Sequence, residues 1–274
     1  MRILTLTAFG VLFASPALAQ EEPRERVPDS FTAGIGAANI PRYEGADDNV
    51  FVPAVAVRGS VSGITFSTLG TALFVDLVPS YTGTGTKFVA GPMAHVTFNR
   101  TSAKRTRDPQ IVALGKIDTA IEIGGHIGIS RTGVITSDFD TFTVDVAVSN
   151  DVTGTHGSLI VTPSINYGTP LSEKVYVGMS IAANHVGSGY ARTYFGVTPL
   201  QSLSSGLPTT TPSGGFKDIN FGLLTNMSLT GDLRGGLSVF AIGNYERLLG
   251  DFARSPVVRS RNQWFGGVGL AYTF

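Results

Sequence analysis

Apolar and non-apolar residues alternate along much of this chain with a period of two. From Thr141 to Ser149, Phe142, Val144, Val146 and Val148 alternate with Thr143, Asp145 and Ala147. From Lys174 to His185, Val175, Val177, Met179 and Ile181 alternate with Tyr176, Gly178, Ser180 and Ala182. From Asp118 to Ser130, Ile121, Ile123, Ile127 and Ile129 fall on one face, with Asp118, Glu122 and His126 on the other. Successive strand side chains point to opposite faces, so each segment predicts a strand with one greasy and one small or polar face. The pattern predicts about twelve strands, near 31–39, 50–58, 63–68, 71–78, 86–98, 118–130, 139–149, 158–167, 174–186, 215–229, 235–247 and 262–274. The pair flanking Gly70 is the shortest, and merging it would spoil the even count.

A soluble β-sandwich would alternate too. Here, however, the less apolar face is Gly, Ala, Ser and Thr more often than Lys and Glu, which suits a crowded lumen. The segments also run to about 10–13 residues, against the ~5–6 common in globular sheets. The fold expected is all-β, a closed antiparallel transmembrane β-barrel. If the chain starts at the periplasmic side, the connections 40–49, 69–70, 99–117, 150–157, 187–214 and 248–261 lie outside. The connections 59–62, 79–85, 131–138, 168–173 and 230–234 lie inside. The four longest then all fall on the extracellular side, as barrels of this kind require. The last strand puts Trp264, Val268, Leu270, Tyr272 and Phe274 on the lipid face, with aromatic residues near both interfaces.

Composition narrows the class. Only 15% of residues are Asp, Glu, Lys or Arg, and there are 34 glycines and no cysteine; soluble domains usually carry ~25% charged residues. Mean hydropathy is positive, yet no stretch after Ala19 offers the ~18 apolar residues of a membrane helix. Formal charge is zero, which argues against a nucleic-acid partner. Arg2, the apolar run Ile3 to Ala14 and the Ala17-Leu18-Ala19 site read as a signal peptide over 1–19. Residues 20–30 read as a periplasmic lead-in and 31–274 as the barrel. The expected location is the bacterial outer membrane.

Candidate chemistry is sparse. Asn184, His185 and Ser188 suggest a lipid hydrolase, but a strand places residues three apart on opposite sides, and a nucleophile and its base must touch. No catalytic set and no cofactor is expected, and the chain reads as non-enzymatic. The four histidines lack metal-ligand spacing, so no metal is expected. His95, Glu122 and His126 share lumen-facing registers and are expected to form an internal polar network, with a substrate path as the alternative. Arg100, Lys104, Arg105 and Arg107 crowd one extracellular loop and could meet lipopolysaccharide phosphates or stay solvated. The Ser/Thr/Gly/Pro-rich loop 187–214 either folds into the barrel mouth or stands above it.

Three stretches carry a family resemblance: Pro41-Arg42-Tyr43-Glu44-Gly45, Tyr194-Phe195-Gly196-Val197, and Arg247-Leu248-Leu249-Gly250-Asp251-Phe252-Ala253-Arg254-Ser255-Pro256-Val257-Val258. They resemble the "PxYxGS", "YFGV" and "RLxGDAxxSPIV" elements of the MipA/OmpV family, the MltA-interacting outer-membrane proteins. The departures are Ala46, Phe252 and Arg254. The resemblance implies outer-membrane lipid and lipopolysaccharide surroundings and a scaffold role that links a periplasmic murein hydrolase to a synthase. Members are also described as adhesins or as routes for small molecules, so a narrow or gated pore is the alternative.

Overall fold

The computed structural model describes residues 25–274, so the signal-peptide expectation lies outside the described residues. Twelve strands alternate up and down: β1 (Ser30–Pro41), β2 (Asn49–Val61), β3 (Ile64–Leu69), β4 (Ala72–Asp76), β5 (Gly85–Thr97), β6 (Ala120–Thr132), β7 (Thr141–Asp151), β8 (Leu159–Pro170), β9 (Val175–Val186), β10 (Gly215–Ser228), β11 (Gly236–Leu248) and β12 (Asn262–Thr273). Each pairs antiparallel with its neighbours, and β12 closes on β1 through eight registered residues from Thr32↔Thr273 to Asn39↔Gly266. Closure leaves no sheet edge running the length of the wall, the condition for a strand structure in a bilayer. The expected barrel and its strand count stand as drawn from the alternation.

The outer face is apolar, as a lipid solvent demands. Ile35, Val55, Phe88, Ile127, Trp264 and Val268 are all more than 60% exposed, a pattern that water would penalise and hydrocarbon does not. The long connections 98–119, 187–214 and 249–261 all leave the end opposite the two termini. Residues 25–27 run beside the β4–β5 turn, where Val27 N donates to Ser80 O at 3.0 Å and Thr82 N to Glu25 O at 2.8 Å. Residues 25–27 are therefore bonded to the rim at the end where β12 finishes.

The extracellular connections are not open loops. They contain five short helices: α1 (Ala103–Thr106), α2 (Pro109–Ala113), α3 (Ser188–Phe195), α4 (Pro199–Ser205) and α5 (Gly250–Arg254). α4 starts on a capping box in which Thr198 and Gln201 bond each other's backbones, with Pro199 at its first turn. Gly206 ends it in the left-handed region, φ 72°. These pieces pack into two apolar cores in the barrel mouth. One joins Tyr43, Ala46, Ile111, Leu114, Val197, Leu207 and Val257; the other joins Val186, Tyr190, Ala191, Tyr194, Phe195, Leu248 and Phe252. Of the two readings of loop 187–214, it is the folded-in one that the structure adopts.

Candidate functional site, a buried ionic network beneath the loops

Beneath these two cores lies a set of charged side chains withdrawn from water. Glu44 comes from loop 42–48, whose shape is set by Gly45. Gly45 has φ 96°, and an added Cβ would lie 2.7 Å from Val258 Cγ2, so only glycine fits. Gln263, 1% exposed, holds the same turn from below: Gly45 N donates to its Oε1 at 3.2 Å, and its Nε2 donates to Ala46 O at 2.9 Å. Arg259 N and Ser260 N donate to Gly45 O at 2.7 and 3.0 Å.

Glu44 is thereby pointed at three partners. Asn99 accepts from its backbone N–H and donates Nδ2 to its Oε2, both at 3.2 Å. The Tyr190 hydroxyl donates to Oε2 at 3.0 Å, and Lys217 pairs with Oε1. Lys217 also lies 2.9 Å from Asp218 Oδ2 and 5.4 Å from the centre of the Tyr190 ring, a cation–π contact in a desolvated setting. Burial raises the Tyr190 phenol well above its ordinary range, and the Glu44 carboxylate adds to the shift. The phenol thus stays protonated as the donor.

Lys217 and Asp218 are consecutive, and strand alternation would send them to opposite faces. A register shift between Phe216 and Asp218 in the β9–β10 pairing turns both inward. Such a bulge inserts one residue and re-aims a side chain. Asn184 and Asn220 donate to Asp218 Oδ1 at 2.9 and 2.7 Å. Glu246 stands beside them, 8% exposed, and its Oε1 has no hydrogen-bond partner among the described residues. Carboxylate oxygens of Glu44, Asp218 and Glu246 lie within 4.8 Å of one another. The trio has the donor chemistry for a cation, and the Lys217 ammonium bridges two of its members.

A second cluster adjoins the first. Glu122 is fully buried; Thr97 Oγ1 donates to its Oε1 at 2.9 Å, His156 Nε2 lies 3.2 Å from Oε1, and His95 Nδ1 lies 3.4 Å from Oε2. Ser158 N donates to His156 Nδ1 at 3.2 Å, which assigns the His156 proton to Nε2, facing the carboxylate. The His156 ring packs on Tyr190 and Tyr194 at centroid distances of 5.1 and 5.8 Å, so the two clusters share one aromatic wall. Asp151 brings His156 there by folding loop 152–158 back on itself, accepting from His156 N at 2.7 Å and Gly157 N at 2.9 Å.

The expected network of His95, Glu122 and His126 is therefore rearranged. His95 and Glu122 meet. His126 bonds Val75 O at 3.2 Å and sits edge-on to Phe74, apart from the other two. His156 takes the place expected of it. Of the basic quartet, Lys104 and Arg107 are exposed and Arg105 is half-buried. Arg100 turns inward, 4% exposed, and donates to Thr193 O at 2.9 Å; its φ of 56° reverses the chain at the loop entrance. Burial lowers its guanidinium to about 10, still protonated at neutral pH. His185 packs edge-on against Phe216, whereas Ser188 Oγ accepts from Gly214 N at 3.1 Å, so these two side chains serve different partners.

All three family-like stretches meet here. Tyr43, Val197 and Val257 share one core; Tyr194, Phe195, Leu248 and Phe252 share the other. Ser255 Oγ donates to Phe195 O at 2.7 Å and ties the second stretch to the third.

A comparison with curated proteins finds no match. Among solved structures, Pseudomonas putida OprB aligns with TM-score 0.40 and 11% identity, covering 82% of this chain and 59% of that one, so the chain spans about three fifths of OprB. A bacterial polysaccharide outer membrane secretin aligns with TM-score 0.38 and 7% identity over 89% of this chain and 98% of that one. The Pseudomonas putida toluene transporter TodX aligns with TM-score 0.35 and 9% identity over 90% and 89%. The family profile described as MltA-interacting protein MipA matches residues 33–274. The match takes in most of β1, all of β2 to β12 and all three stretches of the mouth, and the chain belongs to this family of outer-membrane β-barrels.

Proposed function

We propose that the chain is an outer-membrane platform that holds a periplasmic murein hydrolase, and through it a synthase, against the inner side of the membrane. The observation that carries this reading is the closed extracellular end, where two apolar cores and a buried ionic network fill the mouth. A barrel stoppered this way offers its working surface at the other rim. The family description, which names an interaction with MltA, points to the same side.

The periplasmic turn 133–140 suits such a role. Asp140, 0% exposed, accepts from Val134 N at 2.6 Å, Ile135 N at 2.8 Å, Thr136 N at 2.6 Å and Tyr167 OH at 2.9 Å. The turn it fixes exposes Ile135 and Phe139, 70% and 69%, beside Leu171 at 65%. A preorganised apolar patch loses little ordering entropy on binding a protein. For Lys104 and Arg107 the same reading assigns contact with lipopolysaccharide phosphate.

The test is capture of purified murein hydrolase and synthase by the detergent-solubilised barrel. Enrichment that falls at least tenfold in I135E and F139E supports the platform; no enrichment over an unrelated barrel refutes it. A gated pore is the second reading, favoured by open space below the network, where inward-facing Ile242 is 42% exposed.

A further inference from the structure

The barrel wall is not equally tall all round. β3 and β4 contain 6 and 5 residues, whereas β2 and β5 on either side contain 13 each. β2 pairs with β3 only from Arg58 to Val61. The Thr68 hydroxyl then ends that ladder, accepting from Val57 N at 2.9 Å and donating to Val57 O at 3.2 Å. Above this point β2 keeps its pairing to β1 from Asn49 to Val57 and has no strand on its other side.

Antiparallel strands direct alternate residues' backbone groups to the same edge, so Val55, Pro53 and Phe51 follow Val57 in facing the gap. Pro53 has no N–H to leave unpaired there. β4 stays bonded to β5 throughout, with Leu77 N donating to Ala90 O and Val96 N to Thr71 O, so the gap lies between β2 and the tip of the β3–β4 hairpin. Proline on an edge removes a donor that hydrocarbon could not satisfy. Arg42 Nη1 donates to Arg105 O at 3.3 Å, joining loop 42–48 to α1 over the top of the gap. The result is a window in the extracellular half of the wall.

Both sides of the window are apolar. Outside, Phe51 and Val55 are 75% and 73% exposed and continue the lipid-facing belt up to its rim, while Leu69 at the hairpin tip, in register with Ala72 and the lumen-facing His95, is 74% exposed on the inner side. Inside, the registers align Val52, Ala38, Gly267, Ile242 and Leu224 in one row across five strands. Ala54, Gly36, Gly269 and Phe240 form the row below it. The opposite inner wall is polar, with Ser164 Oγ donating to Asp145 at 2.6 Å and Asn166 Nδ2 donating to Ser164 at 2.9 Å.

We propose that the window admits the hydrocarbon chain of an outer-leaflet lipid, which lies along the inner wall of β2, β1, β12 and β11. Apolar side chains line the way from the bilayer past the rim to that wall, and Pro53 removes one of the backbone donors that a crossing chain would meet. A pairing strand would fit this edge less well, because Pro53 interrupts the ladder it would need. The inference does not depend on the murein-enzyme reading.

Residues of alternate parity on β2 provide the test. The wild-type protein is placed in phospholipid vesicles doped with a lysophospholipid that carries a photoactivatable group in mid-chain. Adducts on inward Val52, Ala54 and Ile242, alongside those on outward Phe51 and Val55, are expected; adducts confined to the outward residues would overturn the proposal. Fluorescence gives a second measurement, because the chain has one tryptophan and Trp264 faces lipid at 63% exposure. In W264F/A54W, lipids with brominated chains should quench the indole about as strongly as they quench the wild type. In W264F/S180W, on the polar inner wall, they should not. An unquenched W264F/A54W would also overturn the proposal.

Discussion

Tyr190 and Glu44, 146 residues apart in sequence, are joined by a hydrogen bond of 3.0 Å between the phenol and Oε2. This bond fastens the longest loop to the first one over a lysine that neither loop contains. Y190F removes one charge-assisted bond and should cost about 1.5–3 kcal/mol. E44Q withdraws a carboxylate from buried Lys217, and breaking a buried pair costs about 3–5 kcal/mol; Asp218 retains part of that pairing. Thermal unfolding in detergent, followed by gel mobility, should rank wild type above Y190F and Y190F above E44Q. Equal melting temperatures would mean that the network does not hold the mouth together.

Gly45 and Gly70 give a paired test of the loop packing. Both have positive φ, 96° and 59°, but an added Cβ at Gly70 meets nothing within 4 Å, whereas at Gly45 it strikes Val258. G70A should therefore cost only the backbone term, about 1–2 kcal/mol. G45A should cost more and free loop 249–261, whose Arg259 and Ser260 N–H groups bond Gly45 O. Limited proteolysis reads the difference: G45A should be cut in that loop and G70A should not.

The strands were legible because two media impose two chemistries on alternate residues, and this survives even in the short β3 and β4. The mouth was not. Its helices are 4–8 residues long, too short to show an amphipathic period, and they are held by one another. Lys217 was hidden by a bulge that breaks alternation at one point. Arg100 read as part of a basic surface because sequence clustering does not report its left-handed turn. His156 had one visible signal, an Asp followed by Thr, Gly and His in a turn-like stretch, but not the carboxylate that Asp151 would fold it against. The three family-like stretches were visible one by one; their convergence is a property of the folded chain alone.

The platform reading depends on a rigid turn 133–140, and Asp140 makes that rigidity dependent on pH. Burial alone would raise its carboxyl, but the N–H groups of Thr136, Val134 and Ile135 and the Tyr167 hydroxyl outweigh it and hold the group well below the ordinary carboxylate range. A depressed folded value means that the unfolded turn binds the proton first. The stabilisation is then complete above about pH 4 and is lost as pH falls through the folded value. Hydrogen exchange should show the amides of Val134, Ile135 and Thr136 protected and unchanged from pH 8 to pH 5. In D140A the same amides should lose that protection at every pH. Wild-type amides as labile as those of D140A would show that the carboxylate does not set the turn.

Removing the stopper separates the platform from the gated pore. In planar bilayers the wild type should be silent, since the two cores seal the mouth. Deletion of residues 190–212 takes out most of α3, all of α4, and Tyr190, Tyr194 and Phe195 from the second core, while every strand remains. If the lumen below is continuous, conductance should appear in this variant alone. It should favour cations, because the exposed ring would carry Glu44, Asp218 and Glu246 against Lys217. Adding E246Q should then weaken that preference without abolishing current. Silence from both proteins would mean a lumen blocked below the network as well, leaving the periplasmic rim as the working face of the barrel. Equal conductance from both would show that ions pass without displacing loop 187–214, and the closed mouth could no longer carry the platform reading.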